Sequence, residues 1–316
     1  MMPVAIIGAG IAGLACARRL AESGVHAVLF DKGRGLGGRV ATRRVGSLQF
    51  DHGAQYVTAR DREFAKLLGT LEKQGATSEW REGGGPGRWV GVPGMSALPK
   101  ALGVGLDVRL NQTVTAVIRQ SDCWQVQLAG TTIEAARVIV TVPAPQALSL
   151  LGESHPLSAA LRSVVMGPCL TLMAAIQQGS APFTVREDPA APLAWIARNS
   201  SKPGRAGWAI ETWVAQAGPE FSTEHLEKDP QVITSLMLPL LCEQLGVDPE
   251  SVTYAAAHRW RHARVIAPLG EPFLRSPDAT LYLGGDWCLG ARVEAAWTSG
   301  TAMAEEWLAL RVASTD

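Results

Sequence analysis

The chain has 316 residues, 47% of them hydrophobic, enough to bury a large core as one α/β unit or as two lobes. Lysine plus arginine number 29 and aspartate plus glutamate 29, so the formal net charge is zero and nothing electrostatic calls for nucleic acid or an anionic membrane as partner. Five cysteines without a Cys-x-x-Cys pair argue against a disulfide framework or a zinc site; a reducing, cytoplasmic setting and no metal are expected.

The apolar start 1–7 has no basic leader and runs straight into glycines, so it reads as a first strand and not as a signal peptide. No stretch approaches the roughly 18 apolar residues of a membrane span. Residues 3–7 form a short apolar run typical of a buried parallel strand, a helix is expected from about Ile11 to Ser23, and 26–30 is a second strand. A loop rich in glycine and arginine follows, 33–44, then a helix over 61–74 with Phe64, Leu67, Leu68 and Leu71 on one face. Strands are expected at 106–110, 114–118, 124–128, 138–142, 208–215 and 281–283. Asp229-Pro230 suits the cap and first turn of a helix reaching Leu245, with a kink at Pro239, and a last helix runs from about Val293 to Leu310. The expected fold is α/β: a discontinuous FAD-binding Rossmann-like domain (1–56, 91–143 and 276–316) and a substrate domain of antiparallel sheet and helices (57–90 and 144–275).

The cofactor reading starts at Gly8-Ala9-Gly10-Ile11-Ala12-Gly13, a G-x-G-x-x-G between a strand and a helix. Gly8 serves the tight turn, Gly10 lets backbone approach a pyrophosphate, and Gly13 lets helix and strand pack closely. The helix N-terminus offers free N–H groups and partial positive charge to phosphates. Asp31 stands 18 residues beyond Gly13, where a carboxylate holds ribose hydroxyls and favours a free 2′-hydroxyl. Lys32-Gly33-Arg34-Gly35-Leu36-Gly37-Gly38-Arg39 places Arg34 and Arg39 among glycines, as phosphate recognition by guanidinium requires. Near the other end, Gly285-Asp286 follows a strand, with Asp286 placed for a ribityl chain and the N–H groups near Val293 for the electron-rich edge of a reduced flavin.

Several segments carry a resemblance: DKGRGLGGR (31–39), GAQYVTARD (53–61), RWVGVPGMS (88–96), WIARNSSKP (195–203), AHRWRHAR (257–264) and GGDWCLGARVEAAWTSG (284–300). Together they resemble the flavin amine oxidase superfamily with its para-hydroxybenzoate-hydroxylase-like fold, and more narrowly the bacterial renalase family. That resemblance implies an oxidase with non-covalent FAD. It would take hydride from C2 or C6 of a dihydroNAD(P) isomer to flavin N5 and pass the electrons to O2, giving NAD(P)+ and hydrogen peroxide. It also implies that Ala12, Asp31, Lys32, Gly38, Arg39, Gln55, Tyr56 and Val114 line the FAD. Asn199 and His258, with Arg198 nearby, then belong to the substrate pocket. Two departures stand out: His52 replaces an apolar residue, and 83–87 is short.

Read on their own, His258 is equally a structural histidine at a strand end and Asn199 equally the cap of a turn before Ser200. Trp195, Trp208, Trp213 and Trp260 suit stacking on a ring, and each suits a core as well. Cys288 reads as a small buried residue and not as a covalent flavin anchor. An amine oxidase is the main alternative. Against it stand only three tyrosines (56, 254 and 282) and only two lysines, 202 and 228, after residue 100. A desaturase of an apolar substrate and a flavoprotein sensor are further alternatives. Arg259, Arg261, His262 and Arg264 speak for an anionic substrate over an apolar one.

Overall fold

The computed structural model describes residues 2–83, 85–177, 181–205 and 210–313. Two compact units form: Met1–Gly38, Pro99–Met166 and Val265–Asp316 make the first, Arg39–Leu98 and Gly167–Arg264 the second. These bounds differ from those expected from sequence. Residues 39–56 and 91–98 fall with the second unit, and 144–166 and 265–275 with the first. The cause is tertiary: side chains of Asn199, Gln216 and Trp260 bond the 49–53 backbone, while Ala144, Ala147 and Leu161 join the core beneath the parallel strands.

The first unit is built on a six-stranded sheet in the order Leu274–Arg275, Leu281–Leu283, Arg137–Val140, Val4–Ile7, Ala27–Phe30, Asp107–Arg109. All its pairings are parallel except that of Leu274–Arg275. Val4–Ile7 and Ala27–Phe30 are buried at every position, which is why they read as unbroken apolar runs. The helix Ile11–Glu22 packs so closely on the helix Val293–Ala313 that a Cβ on Gly300 would lie 2.1 Å from the Ala12 carbonyl oxygen. An antiparallel meander, Val114–Arg119, Trp124–Leu128 and Thr131–Ala135, completes this unit.

In the second unit five strands run in the order Val185–Glu187, Leu193–Arg198, Ile210–Ala217, Val165–Gln177, Val252–Ala267. The helix Pro230–Leu245, capped by the Asp229 side chain, lays Ile233, Met237, Leu241 and Leu245 on Leu170, Leu172 and Ala174. The helix Arg62–Lys73 starts at Asp61, whose side chain accepts from the Glu63 and Phe64 amides.

The helix Pro230–Leu245 runs through Pro239 to Leu245, as expected. Two sequence expectations change here. His258 stands within the sixteen-residue strand Val252–Ala267, not at a strand end. The strand expected at 208–215 is Ile210–Ala217; Trp208, like Gly84, lies outside the described residues. Among the described residues no helix is long and apolar enough to cross a membrane.

Candidate functional site

In the first unit the glycine turn is shaped by backbone. Gly8 has φ 105°, and its N–H donates to the Phe30 carbonyl at 2.8 Å. A Cβ on Gly13 would fall 2.0 Å from the Gly8 carbonyl oxygen, so no larger residue fits without moving the turn. A Cβ on Gly10 would meet nothing within 4 Å. Packing therefore does not demand glycine at position 10; the residue leaves open space beside the helix start. No side chain caps that helix and its first turn has no acid, so its leading amides are presented for an anion. Ala12 is buried in the same turn.

Asp31 is held in place by backbone: one carboxylate oxygen accepts from the Ala9 amide at 2.7 Å, the other from the Gly33 amide at 2.7 Å. Each oxygen keeps a second lone pair for a hydroxyl. Gly37, bonded through its amide to the Ala9 carbonyl, and Gly38, at φ 54°, bring the second loop beside the first. Lys32 and Arg34 are exposed, and Val114 is half-buried at the start of the meander. The residues thus fit a dinucleotide: an open cradle, an uncapped helix and a fixed acid.

At the other end of the unit, the Gly285 amide donates to Ser299 Oγ at 2.9 Å, and Asp286 opens a one-turn helix, 7% exposed. Val293 begins the long helix, but its first turn carries its own buried acid, Glu294, paired with Arg292 at 3.0 Å. The positive helix end is therefore partly answered within the protein.

Gln55, Tyr56 and Arg39, counted from sequence with the cofactor, lie in the second unit. Arg39 donates to the His262 and Ala263 carbonyls at 3.3 and 3.2 Å. Gln55 is buried and donates to the Asp51 and Gly53 carbonyls at 2.5 and 3.1 Å. Tyr56 packs on Trp195 at 5.5 Å, with the Arg88 guanidinium 4.4 Å above its ring.

The substrate candidates separate likewise. Asn199 is fully buried. Its amide donates to the Gln49 carbonyl at 2.9 Å and to Thr212 Oγ1 at 3.4 Å, and its oxygen accepts from the Asp51 amide at 3.2 Å. Arg198 bonds Glu211 at 3.3 Å and Thr184 at 3.3 Å. His258 is half-buried and meets Trp260 at 4.3 Å and His52 at 4.7 Å, both edge to face. The Trp260 indole N–H donates to the His52 carbonyl at 2.7 Å. Burial, with His258 and Arg43 close by, pushes the His52 imidazole down to about 4. Burial, with Arg43 and Arg259, also lowers His258. Both rings are neutral at pH 7.

The basic run 259–264 is divided by strand alternation. Arg261 forks onto the Glu227 carboxylate at 2.5 and 2.9 Å and Arg259 reaches it at 3.7 Å, whereas His258 and Trp260 turn to His52.

Sequence reasoning did not single out the group beneath this face. Asp51, Lys202 and Arg205 are fully buried. Asp51 accepts from Lys202 Nζ at 3.1 Å, Arg205 Nη2 at 2.5 Å, Thr42 Oγ1 at 2.7 Å and the Met95 amide at 2.9 Å. Burial alone would raise the Asp51 carboxyl, but the Lys202 and Arg205 charges, with these hydrogen bonds, hold it below the ordinary carboxylate range. Burial pushes the Lys202 ammonium down to about 8 despite Asp51. The sequence signals were an aspartate directly after the apolar Phe50 and a lysine in a region that has only one other.

Residues 6–71 match the NAD(P)-binding Rossmann-like domain family, and residues 73–308 the family described as flavin containing amine oxidoreductase. Over 60 residues the chain is 38% identical to the 4,4'-diapophytoene desaturase of Staphylococcus haemolyticus, a stretch that is 19% of this chain and 12% of that protein. The Staphylococcus aureus enzyme of the same name matches to the same extent. Among solved structures, a protein of Exiguobacterium sp. 255-15 assigned as a protoporphyrinogen oxidase superposes with TM-score 0.77 at 15% identity, over 96% of this chain and 98% of its own. A putrescine oxidase double mutant gives 0.71 at 15% identity, over 98% and 99%. At such identity these structures speak to the fold alone. With residues 73–308 matched and the Rossmann cradle in place, the chain belongs to the flavin containing amine oxidoreductase family, with its two-domain fold and FAD as cofactor.

Proposed function

We propose that this protein is a soluble, cytoplasmic oxidase of dihydroNAD(P) isomers reduced at C2 or C6, consuming O2 and yielding NAD(P)+ and hydrogen peroxide. The observation that carries the reading is the half-buried face where His258 meets His52 and Trp260 edge to face and His52 stacks on Trp260, with the Arg43 charge close to both histidines. Flat rings suit a nicotinamide, neutral imidazoles suit its carboxamide, and guanidinium charge suits a dinucleotide's phosphates while repelling a protonated amine. Bound FAD supplies the hydride acceptor and the route for electrons to O2. Gly8, Gly10, Ala12 and Gly13 would hold its pyrophosphate and Asp31 its ribose, with Lys32, Arg34, Gly38 and Val114 alongside, Asp286 on the ribityl chain, and Gly285 and Val293 near the ring.

The chain's task toward the substrate is positioning. A dihydropyridine loses hydride because its nitrogen lone pair restores aromaticity, and no proton leaves with it. His258 therefore orients the ring and takes no proton. Tyr56 and Arg88 would flank the ring, Arg198 would border the face, and Asn199 would hold the 49–51 backbone from behind.

Anaerobic mixing tests this: the 2- and 6-dihydro isomers should bleach the flavin quickly and the ordinary 4-isomer slowly. His258→Ala should slow bleaching with FAD retained. Equal rates with the 4-isomer would make this a plain NAD(P)H oxidase. The family match supports a second reading, an oxidase of mono- or polyamines, which bleaching by benzylamine or spermine would favour. Against it, Arg88 already lies over the Tyr56 and Trp195 rings, Tyr254 stacks on Phe50 at 5.5 Å, and Tyr282 is fully buried, which leaves none of the three tyrosines for an ammonium cage.

A further inference from the structure

After the strand Leu48–Phe50 the chain crosses residues 51–56 without regular secondary structure. A buried segment of this kind must have its peptide groups answered from elsewhere. Here the Arg39 carbonyl takes the Ala54 amide at 2.9 Å, and side chains answer others. Asn199 takes the Gln49 carbonyl and the Asp51 amide, Trp260 the His52 carbonyl, Gln216 the Gly53 carbonyl at 2.8 Å, and Gln55 the Asp51 and Gly53 carbonyls. Gln55 can give its amide nitrogen to two carbonyls only if its oxygen points the other way, and that oxygen accepts from Lys202 Nζ at 3.2 Å. The same nitrogen bonds the Asp51 carboxylate at 3.1 Å and faces the Trp80 ring at 5.2 Å. Lys202 thus joins both ends of the 51–55 stretch from a fully buried position.

We propose that Lys202 is a positioning residue: by pinning Asp51 and orienting Gln55 it locks the 49–56 strap, and so fixes where His52 and Tyr56 stand. The kinetic consequence rests on the functional reading above; the locking itself does not. Removing one partner from a buried charged cluster leaves the others uncompensated, so Lys202→Met risks general instability. Gln55→Met is the cleaner variant, because it changes no charge and removes only the two donor bonds and the lysine contact.

Hydrogen exchange of the FAD-loaded protein decides the matter. In both variants the amides of 52–56 should exchange at least about tenfold faster, while those of the core strand 170–176 change less than about twofold. A second readout follows the His52 ring by NMR. His52 faces His258, Arg43 and Asp51, and Arg259 reaches it through His258. With the strap loosened it should titrate at least about one pH unit above its value in the parent protein. In turnover, Gln55→Met should lower the saturated rate of flavin reduction per bound FAD. Unchanged exchange in folded Gln55→Met, or strap and core strand accelerating together, overturns the proposal in favour of a general stability role. If exchange responds as expected but neither dihydro isomer bleaches the parent protein, the strap stands and the reading of function falls.

Discussion

A histidine packed against another ring loses water on that side, and His52 and His258 do this to each other while Trp260 covers a further face. Charging either ring then costs more than in solution. His52 is held at about 4 in the native protein, against roughly 6.5 for an unperturbed histidine. The folded value is the lower one, so the unfolded chain binds the proton first. The stabilisation is whole above pH 6.5 and is lost as pH falls from 6.5 to 4, by about 3 kcal/mol at the limit. Urea unfolding at pH 7 and pH 5 should show this loss, and His52→Gln should remove most of it. A pH-independent stability would mean the ring is solvated. The reductive rate at saturating substrate should correspondingly show no acid limb near 6.5; a limb that vanishes in His258→Ala would make His258 an acid–base catalyst. Legibility differs sharply among these residues. Asp31 stood out because its expected role depends on distance along the chain from Gly13. Asp51 was not, since its partners Lys202 and Arg205 lie some 150 positions away and only folding makes them neighbours.

At the scale of elements, the βα turn is governed by one close approach. Helix Ile11–Glu22 meets the turn so tightly that a Cβ at position 13 would sit 2.0 Å from a carbonyl oxygen. Gly13→Ala should therefore cost about 1–3 kcal/mol or more by overpacking and sharply reduce FAD content. Chemical denaturation and the flavin absorbance of the purified variant measure both; a variant that keeps full flavin would show that the turn yields. Short buried strands such as Val4–Ile7 were legible because they are buried at every position and so form an unbroken apolar run, with Ala5 and Ile7 in one core with Val117, Trp124 and Val126 of the meander. Val165–Gln177 was not, since it is buried on both faces yet includes Gly167 and Pro168, which read as loop. Val252–Ala267 was hidden by composition: arginines and histidines fill a strand whose neighbours Glu227 and His52 answer them.

For the molecule as a whole, we propose that the first unit holds FAD without a covalent link. Cys288, the thiol nearest the Gly285-Asp286 turn in sequence, is fully buried, and burial pushes it up to about 12. It carries no appreciable thiolate to attack a flavin. The purified protein should be yellow, and acid or heat should release intact FAD; flavin remaining on the denatured chain would refute this. Because FAD binds only the folded state, adding it back at 100 times its Kd should stabilise the apoprotein by about 2.7 kcal/mol.

The sequence by itself determined the Rossmann unit, because this rests on local matters: a glycine turn, a strand followed by a helix, an acid at set spacing; the family was read from the resemblance that segments such as 31–39 and 284–300 carry. A division into two lobes was also within its reach. Where the lobes divide was decided only by the tertiary structure, which gives 39–56 to the second unit through hydrogen bonds from Asn199, Gln216 and Trp260. The same holds for the neutral His52–His258 pair and for the buried Asp51–Lys202–Arg205 cluster. Periodicity and spacing record what each residue does with its near neighbours. Desolvation and charge pairing depend on residues that meet only when the chain has closed.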